Sequence, residues 1–112
     1  MVYQPKLLVD FDGVIHRYSR GWADGSIYDE PMEGAKEALN TLEVCGFEVV
    51  IFSTRDGKQI WDWLFRHGFP KYRVTNVKEP SVALIDDRAI RFRHWDHAME
   101  QVFELSPIED WT

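Results

Sequence analysis

Asp10 and Asp12 stand one residue apart at the end of an apolar run, in KLLVDFDG (residues 6 to 13). Two other apolar runs also end on groups able to do chemistry: VVIF (49 to 52) leads into Ser53 and Thr54, and VALI (82 to 85) into Asp86 and Asp87. Carboxylates gathered in one crevice repel one another unless a cation sits among them, and hard oxygen donors of this kind suit Mg²⁺. Mg²⁺ keeps several waters and takes one or two carboxylates together with a substrate phosphate, so the expected ligand is a phosphoryl group. Asp10 then serves as the nucleophile, forming an aspartyl-phosphate, and Asp12 as the acid that protonates the leaving oxygen and the base that activates water. The Ser53 hydroxyl, with Thr54 beside it, can donate to phosphate oxygens. Gly13 lets the chain turn sharply past the site, and Lys78 or another cation neutralises the remaining charge.

Each piece alone is ordinary. Aspartate pairs are common in exposed loops, a serine after a strand is often a turn residue, and Asp86 with Asp87 could cap a helix beginning near Arg88. What joins them is that all three groups end strand-like runs. In an open parallel sheet every strand ends on the same side, and ligands bind in the crevice beyond those ends.

The runs KLLV (6 to 9), FEVVIF (47 to 52) and VALI (82 to 85) lack polar alternation, which predicts parallel strands covered on both faces. Tyr72 to Thr75 reads as a fourth short strand. Between them lie helical patterns. Residues 32 to 45 place Ala35, Ala38, Leu39, Leu42 and Cys45 on one face, with Gly46 as the stop. Residues 57 to 67 place Ile60, Trp61, Leu64 and Phe65 on another, with Asp56 as N-cap and Gly68 as the end. A last helix over 94 to 105 turns Trp95, Met99, Val102 and Phe103 inward. Strand and helix alternating with right-handed crossovers predicts a three-layer α/β sandwich around a parallel sheet, in one domain spanning 1 to 112. The stretch HRYSRGWADGSIYDEP (16 to 31) carries no such pattern, and a loop that long in so small a domain is expected to be functional.

At 112 residues, 45% hydrophobic and 29% charged, the composition is that of a globular domain. No run approaches a membrane span and the start MVYQPKLLVD does not resemble a signal peptide. With one cysteine, Cys45, expected to pack at a helix end, this predicts a cytoplasmic protein with no membrane partner. A net charge of −6 argues against a general nucleic-acid coat protein, but residues 55 to 93 hold nine Lys or Arg against five acids. That segment is either a solvated surface or a field for an anionic substrate.

The combination resembles the haloacid dehalogenase superfamily of phosphohydrolases. DFDGV resembles its first motif, VVIFS its second, Lys78 its third and ALIDD its fourth, together covering residues 7 to 92. The resemblance implies a small Rossmann-like phosphatase dependent on Mg²⁺, with Asp10 as nucleophile, Asp12 as acid/base, Ser53 as the phosphate-binding hydroxyl and Lys78 as the charge-neutralising lysine. It implies Asp86 as metal ligand with Asp87 supporting it, and the main-chain carbonyl of Asp12 as a further ligand. Glu79 separates Lys78 from Pro80, unlike the usual Lys-Pro, so Lys71 and Arg88 stand as alternatives. Neither interval where the family inserts a cap domain has room for one, so the chain resembles the capless members. An open site favours a large or macromolecular phosphorylated substrate, a partner that supplies the lid, or broad specificity for small phosphates. ALIDDRAIRFRHW is also similar to the phosphatase part of polynucleotide kinase-phosphatases, which keeps a nucleic acid end as an alternative substrate. A phospho-ligand-binding relative without catalysis and a receiver-like module are the competing readings; the complete motif set speaks against the first and Asp12 against the second.

Three details complete the expectations. His16 either borders the site or lines the loop. His94 and His97 are expected on a helix surface rather than on a metal. Trp63, which cannot face inward together with Trp61, is expected to be exposed and, with Trp22, to mark a homo-oligomer surface.

Overall fold

The computed structural model describes residues 4–86, 90–91 and 94–105. Their elements run β1 (Lys6–Asp10), α1 (Ala35–Val44), β2 (Glu48–Phe52), α2 (Gly57–Arg66), β3 (Arg73–Thr75), β4 (Ala83–Asp86), β5 (Ile90–Arg91) and α3 (Trp95–Leu105). The strands form one sheet in the order β3-β2-β1-β4-β5, and every neighbouring pair is parallel. β5 is the strand that sequence periodicity does not reveal, since two residues cannot display a period.

Alternation along β1 sends Leu7 and Val9 to one face and Leu8 to the other, and all three are buried. On the first face they join Val49, Ile51 and Ile85 in a core shared with Leu39 and Leu42 of α1, Ile60 and Leu64 of α2, and Ala98 and Val102 of α3. Leu8 and Val50 are buried opposite. The chain is therefore a compact α/β fold around an all-parallel sheet whose central strands are buried on both faces, as the apolar runs predict, and it has no cap domain among the described residues.

α1 begins at Ala35 rather than Met32 because Gly34, with φ of 83°, takes a left-handed conformation that ends the preceding turn. Its buried residues are those expected, and Cys45 packs partly buried against the core. Asp56 caps α2 as predicted, its carboxylate accepting from the Lys58 N–H at 2.9 Å.

The face of α2 is a correction. Trp63, not Phe65, turns inward: Trp63 is 1% exposed and Phe65 84%. Trp61 is only partly buried, and its Nε1 donates to the Tyr72 carbonyl at 2.8 Å. The inward stripe is thus Ile60, Trp63 and Leu64, an i, i+3, i+4 set. What draws Trp63 in lies outside the helix. Its ring meets Phe11 edge-on at 5.2 Å and His16 at 5.7 Å, and its Nε1 donates to the Asp29 carbonyl at 3.0 Å. Trp63 therefore pins the loop after β1 to the body of the domain, and the expected exposed surface shared with Trp22 does not exist. Trp63→Ala is expected to cost about 3–5 kcal/mol of unfolding free energy, whereas Phe65→Ala stays within about 0.5 kcal/mol. Urea unfolding of the two variants checks this.

Candidate functional site

Parallel register delivers the three strand ends to one edge. β1 lies between β2 and β4; Asp10 is level with Phe52, and Val9 with Ile85. Asp86 therefore ends β4 beside Asp10 on one side, and Ser53 follows β2 on the other. Asp10 Oδ1 accepts the Phe11 N–H at 2.9 Å.

Past Asp10 the chain makes one tight turn. The N–H groups of Ile15 and His16 both donate to the Phe11 carbonyl at 2.9 Å, and Gly13 N–H donates to the His16 carbonyl at 2.8 Å. Gly13 has φ of 82° while nothing lies within 4 Å of where its Cβ would be, so conformation rather than crowding requires glycine there. The turn presents Asp12 to two partners. Asp12 Oδ2 accepts from Arg55 Nε at 2.8 Å, and Asp12 Oδ1 lies 2.9 Å from His16 Nδ1. His16 is wholly buried, and its Nε2 accepts the Asp29 N–H at 3.1 Å. A nitrogen that accepts carries no proton, so in the neutral ring the proton is on Nδ1 and is donated to Asp12. Two donors thus fix the Asp12 carboxylate, which keeps lone pairs for a third.

Arg55 is the residue that sequence reasoning does not single out. It is 8% exposed, and besides Asp12 its Nη1 donates to the Gly25 carbonyl at 2.7 Å. One guanidinium thereby joins the site to the loop 16 to 31. Its main-chain N–H donates to Ser53 Oγ at 3.1 Å. Ser53, 9% exposed, has that oxygen accepting, which leaves its O–H to donate. Thr54 is exposed beside it.

Lys78 is not brought into this cluster. It is exposed and makes no hydrogen bond or ion pair with another described residue, while the adjacent Glu79 is held by Arg73 and Lys6, both at 2.7 Å. That double pairing, Arg73 foremost, holds the Glu79 carboxyl far below the usual carboxylate range. Lys71 lies over the Trp61 ring at 4.1 Å. Asp87 and Arg88 fall outside the described residues. Among the described residues, Arg55 is the cation that contacts Asp12.

The loop itself is braced. Asp29 accepts from the Ser19 hydroxyl at 2.5 Å and from the Ser19 N–H at 3.0 Å, and these bonds hold its carboxyl down at about 2, ionised at neutral pH. Tyr28 Oη accepts the Arg20 N–H at 2.6 Å and donates to the Gly21 carbonyl at 2.9 Å. Tyr18 and Ala23 adopt positive φ, 59° and 51°, where non-glycine residues are uncommon.

The donors suit Mg²⁺ better than a softer ion. Asp10 and Asp86 carry their carboxylates on neighbouring strands at the same end of the sheet. Among the described residues no group of three or more His, Cys, Asp and Glu, whether at the strand ends or at His94 and His97, is placed to hold a metal ion by itself. One or two carboxylates with waters and a phosphate is the usual Mg²⁺ complement. The Asp12 side chain is engaged by His16 and Arg55.

Among the described residues no helix is long and apolar enough to cross a membrane. No family model and no curated protein matches the chain. Among solved structures, a conserved protein from Bacteroides thetaiotaomicron is similar in fold, with a TM-score of 0.67 and 24% identity over 96% of this chain and 97% of that one.

Proposed function

We propose that the protein is a Mg²⁺-dependent phosphomonoester hydrolase that works through an aspartyl-phosphate on Asp10. The observation that carries this reading is the register of three parallel strands, which sets Asp10 between Ser53 and Asp86 with the oriented carboxyl of Asp12 two residues on. The resemblance of DFDGV, VVIFS and ALIDD to the haloacid dehalogenase motifs supports it independently.

Asp10 attacks phosphorus, the bond to the leaving oxygen breaks, and Asp12, which enters this step in its protonated form, delivers that proton to the leaving oxygen. Asp12, now a carboxylate, takes a proton from water as the water attacks the aspartyl-phosphate, releasing inorganic phosphate and restoring Asp10. Ser53 Oγ–H holds a phosphoryl oxygen, and His16 and Arg55 keep Asp12 in place through both steps. Mg²⁺ held by Asp10, Asp86 and the Asp12 carbonyl would offset negative charge on the phosphoryl oxygens. The test is hydrolysis of an aryl phosphate before and after chelation: turnover should fall to background with EDTA and return with Mg²⁺. Turnover indifferent to chelation would contradict the reading.

A further inference from the structure

Trp22 is an exposed tryptophan held in place beside the acid of the proposed reaction. It is 58% exposed, yet it is not loose. The Arg55 guanidinium lies 4.6 Å from the centre of its ring, and a methyl group at Gly25 would sit 3.0 Å from its Cζ2. Arg55 and Gly25 are themselves joined by the 2.7 Å bond from Nη1, and Arg55 Nε is 2.8 Å from Asp12. A single guanidinium thus separates the indole from the Asp12 carboxylate. The remaining nitrogen, Nη2, is buried without a hydrogen-bond partner. The indole face supplies its electrostatic complement, since a cation over an aromatic ring is attracted by the ring's quadrupole. Tyr18 adds a second ring 5.9 Å from the same guanidinium, on a residue held at positive φ.

Asp12 donates its proton to the leaving oxygen, so the leaving group departs on the Asp12 side, and the guanidinium paired with Asp12 is the one that lies against the Trp22 ring. A rigid, half-open indole there serves a flat ring by stacking, and serves a flexible polyol or a bare alkyl chain poorly. We propose that Trp22 is the platform for the leaving group, and that the substrate is a phosphomonoester whose leaving group carries a planar aromatic or heteroaromatic ring. This rests on the reading of Asp10 and Asp12 given above. The ring can be a nucleobase or a simple aryl group, and the experiment separates the two.

The measurement is kcat/KM for a nucleoside monophosphate, an aryl phosphate and glycerol phosphate, in wild type, Trp22→Phe and Trp22→Ala. The preference for the ring-bearing over the ring-free substrate should fall on the order of 10- to 100-fold in Trp22→Ala, mainly through KM, and be largely kept in Trp22→Phe. Whichever ring shows the larger fall identifies the source. A preference that is the same in all three proteins, even if every rate drops, overturns the platform. Binding of the nucleoside monophosphate and the aryl phosphate to Asp10→Asn, with and without Trp22→Ala, keeps the two claims apart. Trp22-dependent binding without turnover in wild type retains the platform and removes the phosphatase reading. Turnover with binding independent of Trp22 does the reverse.

Discussion

Asp10→Asn is expected to lower phosphatase turnover on the order of a thousandfold or more while leaving the fold intact. The amide cannot attack phosphorus, so the first covalent step has no nucleophile. Structurally the change is small: the bond that Asp10 Oδ1 accepts from the Phe11 N–H is one that an asparagine oxygen accepts equally well. A melting temperature close to that of wild type, with turnover at background, is the expected pair of readings. An Asp10→Asn protein with wild-type turnover would place the nucleophile elsewhere.

Asp12→Asn is expected to behave differently on both counts. Its rate should fall by about 10²–10⁴, and more for alkyl phosphates than for aryl phosphates, because a good leaving oxygen needs the proton less. It should also lose stability. Both Asp12 oxygens accept hydrogen bonds, from Arg55 Nε and His16 Nδ1. An asparagine offers one acceptor and turns an NH₂ toward the other donor. The Arg55 charge, 8% exposed, would then lose its counter-ion, at a cost of about 1–3 kcal/mol. Denaturant unfolding beside kinetics on the two substrate types separates these effects. Equal rate losses on alkyl and aryl phosphates would remove the acid role.

The residues of the site that end strands are legible in the sequence because parallel strands share one carboxyl edge. Once KLLV, VVIF and VALI are recognised as strands, Asp10, Ser53 and Asp86 must be neighbours, and they are. The Asp56 cap and the inner face of α1 are legible for a similar reason, since their signals lie within one or two helical turns. Arg55 and His16 are not. In the sequence Arg55 is one of nine cations in a basic segment; its pairing with Asp12 spans 43 positions and leaves no local spacing to read. His16 gains its role from the turn that starts at Phe11 and from the Asp29 amide across the loop. The inner face of α2 fails for the same cause: periodicity allows either Trp61 with Phe65 or Trp63 with Ile60, and contacts with Phe11, His16 and Asp29 decide it. Spacing can announce the polar groups that end the strands, while the groups that hold Asp12 are fixed by tertiary contact.

The central claim is a phosphoryl group on Asp10. It is tested most directly by mixing the Asp12→Asn protein with an aryl phosphate, quenching in acid and locating any added mass by peptide mass spectrometry. One phosphoryl group on the peptide that carries Asp10, absent from the Asp10→Asn, Asp12→Asn double variant, is the predicted result. No phosphoryl adduct during turnover, or an adduct on another residue that persists in the double variant, would contradict it.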